Sequence, residues 1–555
     1  MIRLTLLNLL LLVFANAPAF TQTVAKDTLV VQTFTFEDIE KRRGVFEFPG
    51  SDDTYEKILM VRTLKCDEAT TGDRYPCGEW DYSTNTVIYV RKEDSTVESF
   101  EIEAFVTPYG KRLDLKGEKG WTYVYDVSDY APLLKGKVDL SSGNTQELLD
   151  MKFYFIKGTP PRNILKVENI YPSGSYVYED LSDDKKLKAT EIHLEAQAKM
   201  FMLRSRISGH GHFGPRNCCE WDSKTHTYYL NEEALFRWNV WKDCGFNPIY
   251  PQGGTWPFDR AGWCPGTPVD TYDFELTRHV RPGKTITLDY GIEPYSDNGE
   301  KGGNFRMAHQ LFSYGAPNFK NDARVMEIIS PTNQDAYSRL NPSCKNPVIL
   351  IQNTGSATLQ SLQITYGLQG GKKETYQWSG RLEFLEKATV VLPVPSWDGL
   401  EEKGNTKFEV SVGQPNAVKD EYPANNNMSS EVEAPVKLPK RFILHIEANN
   451  KERARENGYT ISNERGEVYF ERSILEDEQV YDDVIELEEG CYEFRLTDQA
   501  EDGMVRHWWY RNSNPEMIGR NGRVALLSTD GEILVEFPYD FGQELRLQFY
   551  VGSLK

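Results

Sequence analysis

The sequence lacks several of the signals that assign a chain to a common functional class. After its N-terminal segment it has no apolar run long enough to cross a membrane. Its 8 cysteines include no Cys-x-x-Cys pair of the kind that binds structural zinc. It has neither the Gly-x-Ser-x-Gly motif of serine hydrolases nor a phosphate-binding glycine loop. A basic excess is also missing, because the formal net charge is −20, and we therefore expect no nucleic-acid partner. From the lack of a long apolar run we expect no membrane span.

Residues 1–21 have the pattern of a signal peptide. Arg3 precedes an almost unbroken apolar run from Leu4 to Phe14, and small residues between Ala15 and Ala19 offer cleavage sites. The run is too short to span a bilayer, and no cysteine follows it closely enough to indicate a lipid anchor. The pattern predicts export, either to the periplasm or out of the cell, where disulfide bonds are stable.

The rest of the chain reads mostly as β-strand. Short segments rich in β-branched and aromatic residues, such as Thr86–Val90 and Val348–Ile351, are separated by Asn-Gly, Gly-Gly and similar turns. Helical patterns are limited to a turn or two in residues 181–188 and 231–236. These features predict an all-β protein built from stacked sandwiches or jelly rolls.

Composition divides the chain that follows the signal peptide into four domains. The boundaries fall in a polar stretch around residue 180, near Ser330-Pro331, and in the proline- and charge-rich stretch 432–439. The predicted domains are 22–180, 181–330, 331–434 and 435–555. The third reads as an immunoglobulin-like sandwich and the fourth as a further β domain.

One five-residue string occurs twice. Residues 77–81 read CGEWD and residues 218–222 read CCEWD. Carboxylates perform acid–base chemistry, and tryptophan offers an apolar face on which a sugar ring can stack. Because alternate residues of a strand share a face, Glu79 and Asp81 would point one way and Trp80 the other.

A third cluster, residues 259–266 with the sequence DRAGWCPG, adds a fixed cation and another tryptophan–cysteine pair. A fold that brings the three clusters together would form a polar, aromatic cleft. The competing interpretation is that the acids cap turns, pair with arginines or lie in solvent, as surface acids commonly do. Two copies of the string together with Arg260 favour the cleft.

Three histidines raise the question of a metal site. His210 and His212 would share one strand face, and His226 is nearby in sequence, which is a ligand pattern of modest specificity. Ordinary polar contacts are the favoured interpretation, because an acidic or cysteine ligand set is missing. Cys218 and Cys219 are expected to be structural, since free nucleophilic thiols are unsuited to an oxidising compartment.

Over about residues 30–325 the sequence resembles the bacterial peptide-N-glycosidase F type amidases. Seven motifs carry the resemblance in order along the chain. They are CGEWD at 77–81, FVTPY at 105–109, DVSD at 126–129, GTP at 158–160, ISGHGH at 207–212, CCEW at 218–221 with THT at 225–227, and DRAGWCPG at 259–266.

The resemblance implies a fold and an activity. The expected fold is two adjacent eight-stranded antiparallel jelly rolls with the active site at their interface, here followed by the immunoglobulin-like domain and the last β domain. The expected reaction is hydrolysis of the bond between an asparagine side chain and the first N-acetylglucosamine of an N-glycan, which yields a glycosylamine and an aspartate. It implies an N-glycoprotein or glycopeptide substrate, no cofactor and no metal, and we expect a monomer.

The resemblance also assigns roles to individual residues. It implies that Asp81 is the principal catalytic carboxylate and Glu220 the second acid. The residues implied to line the substrate site are Trp80, His212, Trp221, Arg260 and Trp263. The implied disulfides join Cys66 to Cys77 and Cys244 to Cys264. The pairing of Cys218, Cys219, Cys344 and Cys491 is left open.

Some positions depart from the family pattern. The family has a third important glutamate in the loop before Gly158, closely followed by tryptophan. Residues 137–150 of this chain contain no Glu-x-Trp, which leaves Asp139 or Glu147 as candidate replacements. His210 and Tyr82 stand where the family has tryptophan and arginine. Glycan preference, including tolerance of core fucose, is therefore left open.

Two other functions are compatible with the motifs. A non-catalytic glycan-binding protein would use the same aromatic cleft, and a copper monooxygenase would use the histidines on a similar double jelly roll. The last domain carries further acids at Asp498, Glu501 and Asp502, for which a solvated loop is the favoured interpretation and a calcium site the alternative.

Overall fold

The computed structural model describes residues 27–50, 53–69, 74–143, 146–213, 215–296, 302–400 and 406–554. The predicted signal peptide lies outside these residues. Nearly all the regular structure is β-strand, as predicted. Within the described ranges, no helix has both the length and the apolar character that a membrane crossing requires.

Helices are few and short. The α-helix α1 covers Tyr178–Ser182. The 3-10 helices are Gly110–Arg112, Ser128–Tyr130, Pro215–Asn217, Thr277–His279, Asp335–Leu340, Pro415–Ala417, Pro423–Asn425, Ala454–Glu456, Trp508–Asn512 and Pro515–Met517. The helical turn predicted at 231–236 is wrong, because residues 233–240 form a strand that is hydrogen-bonded to the strand before it.

The strands of the first half, in chain order, are β1 (Thr28–Gln32), β2 (Arg43–Phe48), β3 (Tyr55–Lys65), β4 (Ser83–Arg91), β5 (Val97–Val106), β6 (Trp121–Asp126), β7 (Gly136–Ser142), β8 (Leu148–Lys157), β9 (Arg162–Val177), β10 (Thr190–His193), β11 (Met200–His210), β12 (Lys224–Leu230), β13 (Glu233–Val240), β14 (Thr267–Pro268), β15 (Thr271–Glu275), β16 (Thr285–Ile292) and β17 (Asn304–Pro317).

The strands of the second half are β18 (Ala323–Ser330), β19 (Val348–Asn353), β20 (Leu359–Leu368), β21 (Glu374–Leu382), β22 (Lys387–Val391), β23 (Thr406–Gly413), β24 (Asn427–Val432), β25 (Val436–Leu438), β26 (Arg441–Glu447), β27 (Asn457–Asn463), β28 (Val468–Arg472), β29 (Val480–Glu486), β30 (Gly490–Asp498), β31 (Arg523–Leu527), β32 (Ile533–Phe537) and β33 (Glu544–Val551).

The first two pairs of sheets form the double jelly roll. In the first pair, the sheet β1-β8-β3-β6 packs on the sheet β14-β5-β4-β7-β2. The rings of Phe48 and Phe153, one from each sheet, lie 5.1 Å apart in the shared core. In the second pair, β15-β11-β17-β9 packs on β10-β16-β12-β13. Each jelly roll has eight antiparallel strands of its own, and β14 is added to the edge of the first.

Two strands cross the boundary predicted near residue 180. The long strand β9 precedes that boundary but pairs with β17 in the second jelly roll. Strand β14 follows the boundary but pairs with β5 in the first. Long-range pairing of this kind leaves no mark on local composition, which explains why composition places the boundary after β9.

The second half holds two more sheet pairs. The sheets β18-β19-β22 and β21-β20-β23-β24 form a seven-stranded sandwich of the immunoglobulin-like type. The sheets β25-β33-β30-β27-β28 and β29-β26-β31-β32 form the last domain. A disulfide between Cys344 and Cys491 joins these two units.

The last domain also contacts the jelly rolls. Asp540 accepts a hydrogen bond from the Trp256 indole (2.8 Å) and forms an ion pair with Arg112. The backbone N–H of Gln543 donates to the carbonyl oxygen of Gly245 (3.0 Å). The last domain therefore supports residues 245–256, which lead directly into the DRAGWCPG cluster.

Candidate active site

The two CxEWD strings lie in loops and not on strands. The first precedes β4, with Gly78 in the left-handed region at φ 78°, and the second forms turns that precede β12. The prediction that alternation would place Glu79 and Asp81 on one face is therefore wrong, since loop residues do not follow the two-residue repeat of a strand. The chain geometry of each loop decides which acid reaches the site.

The structure contains the two disulfides implied by the resemblance, and it pairs the other four cysteines. Cys66 is bonded to Cys77 at the base of the first loop, and Cys244 to Cys264 beside the DRAGWCPG cluster. Cys218 is bonded to its neighbour Cys219, and Cys344 to Cys491. Covalent crosslinks thus anchor the first and third of the loops that carry the site motifs, and a disulfide between adjacent residues lies within the second.

Glycines allow the second and third clusters to pack backbone against backbone. A Cβ atom at Gly209 would collide with the carbonyl oxygen of Cys219, and Gly262 at φ 81° lies directly against Ile207. The N–H of Gly209 donates to Ala261 O (2.9 Å), and the N–H of Ala261 donates to the carbonyl oxygen of Glu220 (3.0 Å). These bonds fix Glu220 beside Arg260.

Arg260 is a fully buried cation that makes four hydrogen bonds to protein oxygens. Its Nε donates to Glu220 Oε1 (3.1 Å), and its Nη1 to the carbonyl oxygen of Phe258 (2.5 Å). Its Nη2 donates to the carbonyl (2.8 Å) and hydroxyl (3.0 Å) oxygens of Thr255. The side chain is 0% exposed. Arg260 was predicted to contact substrate, but these bonds leave its guanidinium beneath the surface.

Two tryptophans flank that guanidinium with different exposure. Its central carbon lies 4.3 Å from the ring centre of Trp221 and 4.9 Å from that of Trp263. Trp221 is partly exposed, whereas Trp263 is 2% exposed and its Nε1 donates to Gly209 O (2.7 Å). Trp263 therefore packs against Arg260 inside the protein. It does not present the accessible indole face that was predicted for the sugar site.

The environment of Asp81 makes it a candidate acid–base group. Burial raises the pKa of Asp81 to about 7, and the nearby charge of Glu220 adds to that effect. Arg260 and a hydrogen bond from the Tyr109 hydroxyl oppose the rise. A carboxylate with a pKa near 7 can exchange protons at neutral pH, which is what general acid–base catalysis requires.

Glu220 shares this environment. Burial raises its pKa above the usual value, while Arg260 and His212 act in the opposite direction. The pKa of each of these two acids depends on the charge of Arg260, and that of Asp81 also on Glu220. The three side chains, which come from three loops, therefore lie in one electrostatic environment.

The other two acids of the repeated strings have structural partners. Glu79 forms an ion pair with Arg74 at 3.7 Å. Asp222 is bonded to Arg216 (2.8 Å) and to Lys224. Ion pairing, which is the competing interpretation of the strings, therefore holds for Glu79 and for both acids of the second string, since Glu220 is paired with the buried Arg260.

The exposed groups around these acids are Trp80 and His212. Trp80 is 56% exposed. His212 is also exposed, and it interacts electrostatically with Glu220. Together with the partly exposed Trp221, they are the predicted substrate-binding residues that remain accessible.

The three histidines are not brought together as a ligand set. His210 is bonded to Ser208 (2.8 Å) and Ser83 (3.1 Å), and burial lowers its pKa to about 3. His226 lies in the core of the second jelly roll, where it contacts the Tyr290 hydroxyl at 2.6 Å. The described residues therefore offer no three-histidine copper site here, which disfavours the monooxygenase alternative.

Both proposed replacements for the third family glutamate interact with arginines of the first jelly roll. Asp139 forms an ion pair with Arg43 (2.8 Å), and Glu147 interacts electrostatically with Arg42. A residue that sequence analysis missed, Gln146, accepts a hydrogen bond from the Thr107 hydroxyl (3.1 Å).

Thr107 connects Gln146 to the loop of Asp81. The Thr107 hydroxyl accepts from the N–H of Tyr82 (2.8 Å) and contacts the carbonyl oxygen of Trp80 (3.4 Å). Thr107 and Tyr109 belong to the FVTPY motif, so the resemblance could have indicated both. Nothing in the local sequence marks Gln146.

A sizeable cavity among the described residues lies elsewhere. It has a volume of about 940 Å³ and is lined by residues of both jelly rolls and of the immunoglobulin-like domain, including Asp126, Arg204 and Arg324. Its charged groups are largely paired, for example Arg204 with Asp129 (2.9 Å) and Asp273 (2.7 Å). We assign no chemistry to it, because proximity of reactive groups identifies a site better than volume does.

Comparison with known proteins supplies a family. The model of the C-terminal domain of peptide-N-glycosidase F matches residues 177–312. The peptide-N(4)-(N-acetyl-beta-D-glucosaminyl)asparagine amidase F of Elizabethkingia miricola is 30% identical over 315 residues, which cover 52% of this chain and 83% of that protein.

Solved structures of related proteins match the same share of the chain. PNGase F, described as a glycosylasparaginase from Flavobacterium meningosepticum, is 28% identical with a TM-score of 0.43, over 52% of this chain and 96% of that one. PNGF-II is 15% identical with a TM-score of 0.40, over 52% of this chain and 65% of that one.

Proposed function

Since the chain belongs to the peptide-N-glycosidase F family, we propose that Asp81 and Glu220 are the acidic groups of its active site. The protein is an amidase that acts on N-linked glycoproteins and hydrolyses the asparagine–N-acetylglucosamine bond. The observation that supports the site assignment is the placement of Asp81 and Glu220 in one electrostatic environment around the buried cation Arg260.

In the proposed reaction, Asp81 accepts a proton from a water molecule whose oxygen attacks the side-chain amide carbon of asparagine. Asp81 then returns that proton to the amide nitrogen, the C–N bond breaks and the nitrogen leaves as a glycosylamine. The new carboxylic acid on the peptide releases its own proton to solvent and becomes a carboxylate. The pKa of about 7 for Asp81 suits both proton transfers at neutral pH.

Glu220 has a second role in this proposal. Its bond to the buried Arg260 holds its carboxylate in place, so it can accept a hydrogen bond from a sugar hydroxyl or a second water. Arg260 acts as a positioning residue and does not touch substrate. Trp80, Trp221 and His212 would contact the first sugars, with the indole faces against the sugar rings.

We further propose that the enzyme is exported and acts as a monomer. Four disulfides are typical of a protein that works in an oxidising, extracellular environment. The signal-peptide pattern of residues 1–21 indicates how it would reach that compartment.

The experiment that tests the proposal is glycopeptide hydrolysis in heavy-oxygen water, followed by mass spectrometry. Wild-type protein should release the glycan and leave one heavy oxygen in a new aspartate. Asp81→Asn should abolish release while the circular dichroism spectrum is unchanged. The matched control is Glu79→Gln, two residues away in the same loop, which should retain activity because Glu79 pairs with Arg74.

Two outcomes would contradict the proposal. Full activity of Asp81→Asn would refute the site assignment. Glycopeptide that is bound but never cleaved by the wild-type protein would favour the glycan-binding alternative instead.

A further inference from the structure

The last domain holds a cluster of carboxylates that the amidase reaction does not use. Glu456, Asp498 and Asp502 each place a carboxylate oxygen within 4.8 Å of the other two. Asp498 ends β30, Asp502 lies in the loop that follows it, and Glu456 immediately precedes β27. Two ligands of one Ca²⁺ ion, each about 2.4 Å from it, are at most about 5 Å apart, so these oxygens are close enough to share an ion.

Asp498 has one carboxylate oxygen without a partner. The residue is 2% exposed. Its Oδ2 accepts the N–H groups of Asp502 (2.8 Å) and Gly503 (2.9 Å). Its Oδ1 is buried and has no hydrogen-bond partner within the described parts of the chain. A buried, unpaired carboxylate oxygen is unfavourable, and such atoms commonly mark the place of a bound ion or water.

A second unpaired oxygen lies on the strand opposite. Asn457 is directly paired with Asp498 in the register of β27 and β30, so the two side chains lie on the same face of the sheet. Asn457 is fully buried, and its Nδ2 donates to the carbonyl oxygen of Arg453 (3.1 Å), which fixes the orientation of the amide. Its Oδ1 has no donor among the described residues.

The positive charge facing this cluster is smaller than its negative charge. His507 Nε2 lies 2.7 Å from Asp502 Oδ2. Arg453 is near Asp502, but its guanidinium donates to the carbonyl oxygens of Met517 and Ile518. Burial and the charge of Asp502 raise the pKa of Asp498 to about 8, which reflects the same crowding of acids.

We propose that Glu456, Asp498 and Asp502, together with the Asn457 amide oxygen, bind one divalent cation, and that this cation is Ca²⁺. Carboxylate and amide oxygens without sulfur ligands are the donor set that calcium prefers. The ion would satisfy both unpaired oxygens and connect three separate segments of the domain. The proposal does not depend on the amidase activity, because the cluster lies outside the jelly rolls.

A neighbouring acidic group provides a contrast. Asp243, Asp259 and Glu501 also bring carboxylate oxygens within 4.8 Å of one another. There, however, Asp243 accepts the N–H of Gly245 (3.0 Å), Asp259 accepts that of Cys244 (2.9 Å) and the Trp241 indole (3.2 Å), and the group is partly exposed. We therefore infer no ion at this group, and Glu501 serves as a control.

The test uses the full-length chain after dialysis against a chelator. Isothermal titration calorimetry with CaCl₂ should show one binding event per chain, and saturating Ca²⁺ should raise the Tm by several degrees. Asp498→Asn should weaken binding at least about tenfold. Glu501→Gln should bind Ca²⁺ as the wild type does. Glu456→Gln, at a less buried position, should also weaken binding and serves if Asp498→Asn does not fold.

A second readout separates ion binding from a purely structural role of Asp498. In chelator, Asp498→Asn should have a Tm at least as high as that of the wild type, because the amide cannot place a charge beside Asp502 and Glu456. In saturating Ca²⁺ the wild type should have the higher Tm. The proposal is overturned if wild-type protein shows neither calcium heat nor a Tm change, if Asp498→Asn binds like the wild type, or if Glu501→Gln alone loses binding.

Discussion

Replacing the proposed catalytic carboxylate should make the protein more stable at alkaline pH. The carboxylate of Asp81 is held in a mostly buried place near Glu220, and its pKa is raised to about 7. Ionisation of Asp81 is therefore less favourable in the folded protein than in the unfolded chain. Asn has nearly the same shape, can still accept a hydrogen bond from Tyr109, and carries no charge, so Asp81→Asn removes this unfavourable ionisation.

The size and the pH range of the effect follow from the two pKa values. The difference between the ordinary value of 3.8 and the folded value of about 7 corresponds to about 4 kcal/mol, at roughly 1.36 kcal/mol per pH unit. This is an upper value, because partial exposure of the carboxylate screens the effect. Since the folded pKa is raised, the destabilisation is absent below the unfolded pKa, grows as the pH rises from 3.8 to about 7, and is constant above.

Differential scanning calorimetry at pH 4.5 and pH 8 measures this effect. At pH 8, Asp81→Asn should exceed the wild type in Tm by up to about 8 °C in the transition that includes the jelly rolls. At pH 4.5, only about 0.7 pH unit above the ordinary pKa of 3.8, the stability difference should fall to about a quarter of its value at pH 8, on the order of 1 kcal/mol. Glu79→Gln, at an exposed ion pair, should show no such pH dependence. A wild type that is as stable as Asp81→Asn at pH 8, or an equal difference at both pH values, would refute the reasoning.

Two further predictions concern activity. The kcat/KM of the wild type should rise with pH, with a midpoint at about 7, as Asp81 loses its proton. Glu220→Gln should lower the pH of that midpoint, because a neighbouring negative charge is removed. Initial rates of glycopeptide release from pH 5 to 9 test this, and an unchanged midpoint would contradict it. Trp509→Ala should lower kcat/KM several-fold, because Trp509 packs on Phe258 with ring centres 5.7 Å apart, beside the site. Trp508→Ala is the matched control, and equal losses in both variants would indicate general damage to the last domain.

The fold class could be predicted from the sequence, and the resemblance proposed Asp81 and Glu220 as the site acids, but the pattern of residues alone could not choose between neighbouring acids. Glu79 and Asp81 are similar side chains two positions apart in a short string. Their roles differ because Glu79 reaches the exposed Arg74, whereas Asp81 points toward Arg260 from another domain. That difference depends on an electrostatic interaction between residues separated by almost 180 positions, and no local pattern records it.

The burial of side chains in the DRAGWCPG cluster could not be predicted from the sequence either. Arg260 and Trp263 are residue types that commonly bind sugars or anions, and the resemblance placed both in the substrate site. The structure buries them where Gly209 and Gly262 let strand β11 and two loops pack at backbone distance. A glycine such as Gly209 is recognisable in the sequence as a position that permits close backbone packing. Which side chain becomes buried by that packing depends on the tertiary contact.

The burial of Arg260 explains how two acids in one environment can take different roles. Arg260 donates directly to Glu220 at 3.1 Å but acts on Asp81 only through space. The direct bond favours the ionised form of Glu220, and the charge on Glu220 in turn disfavours ionisation of Asp81. Two carboxylates whose environments differ in this way can take different roles in acid–base chemistry. A cation exposed to substrate would be free to leave Glu220, and the difference between the two acids would then change whenever a ligand bound. The buried position of Arg260 instead keeps the pKa of Asp81 near 7 before any glycan binds.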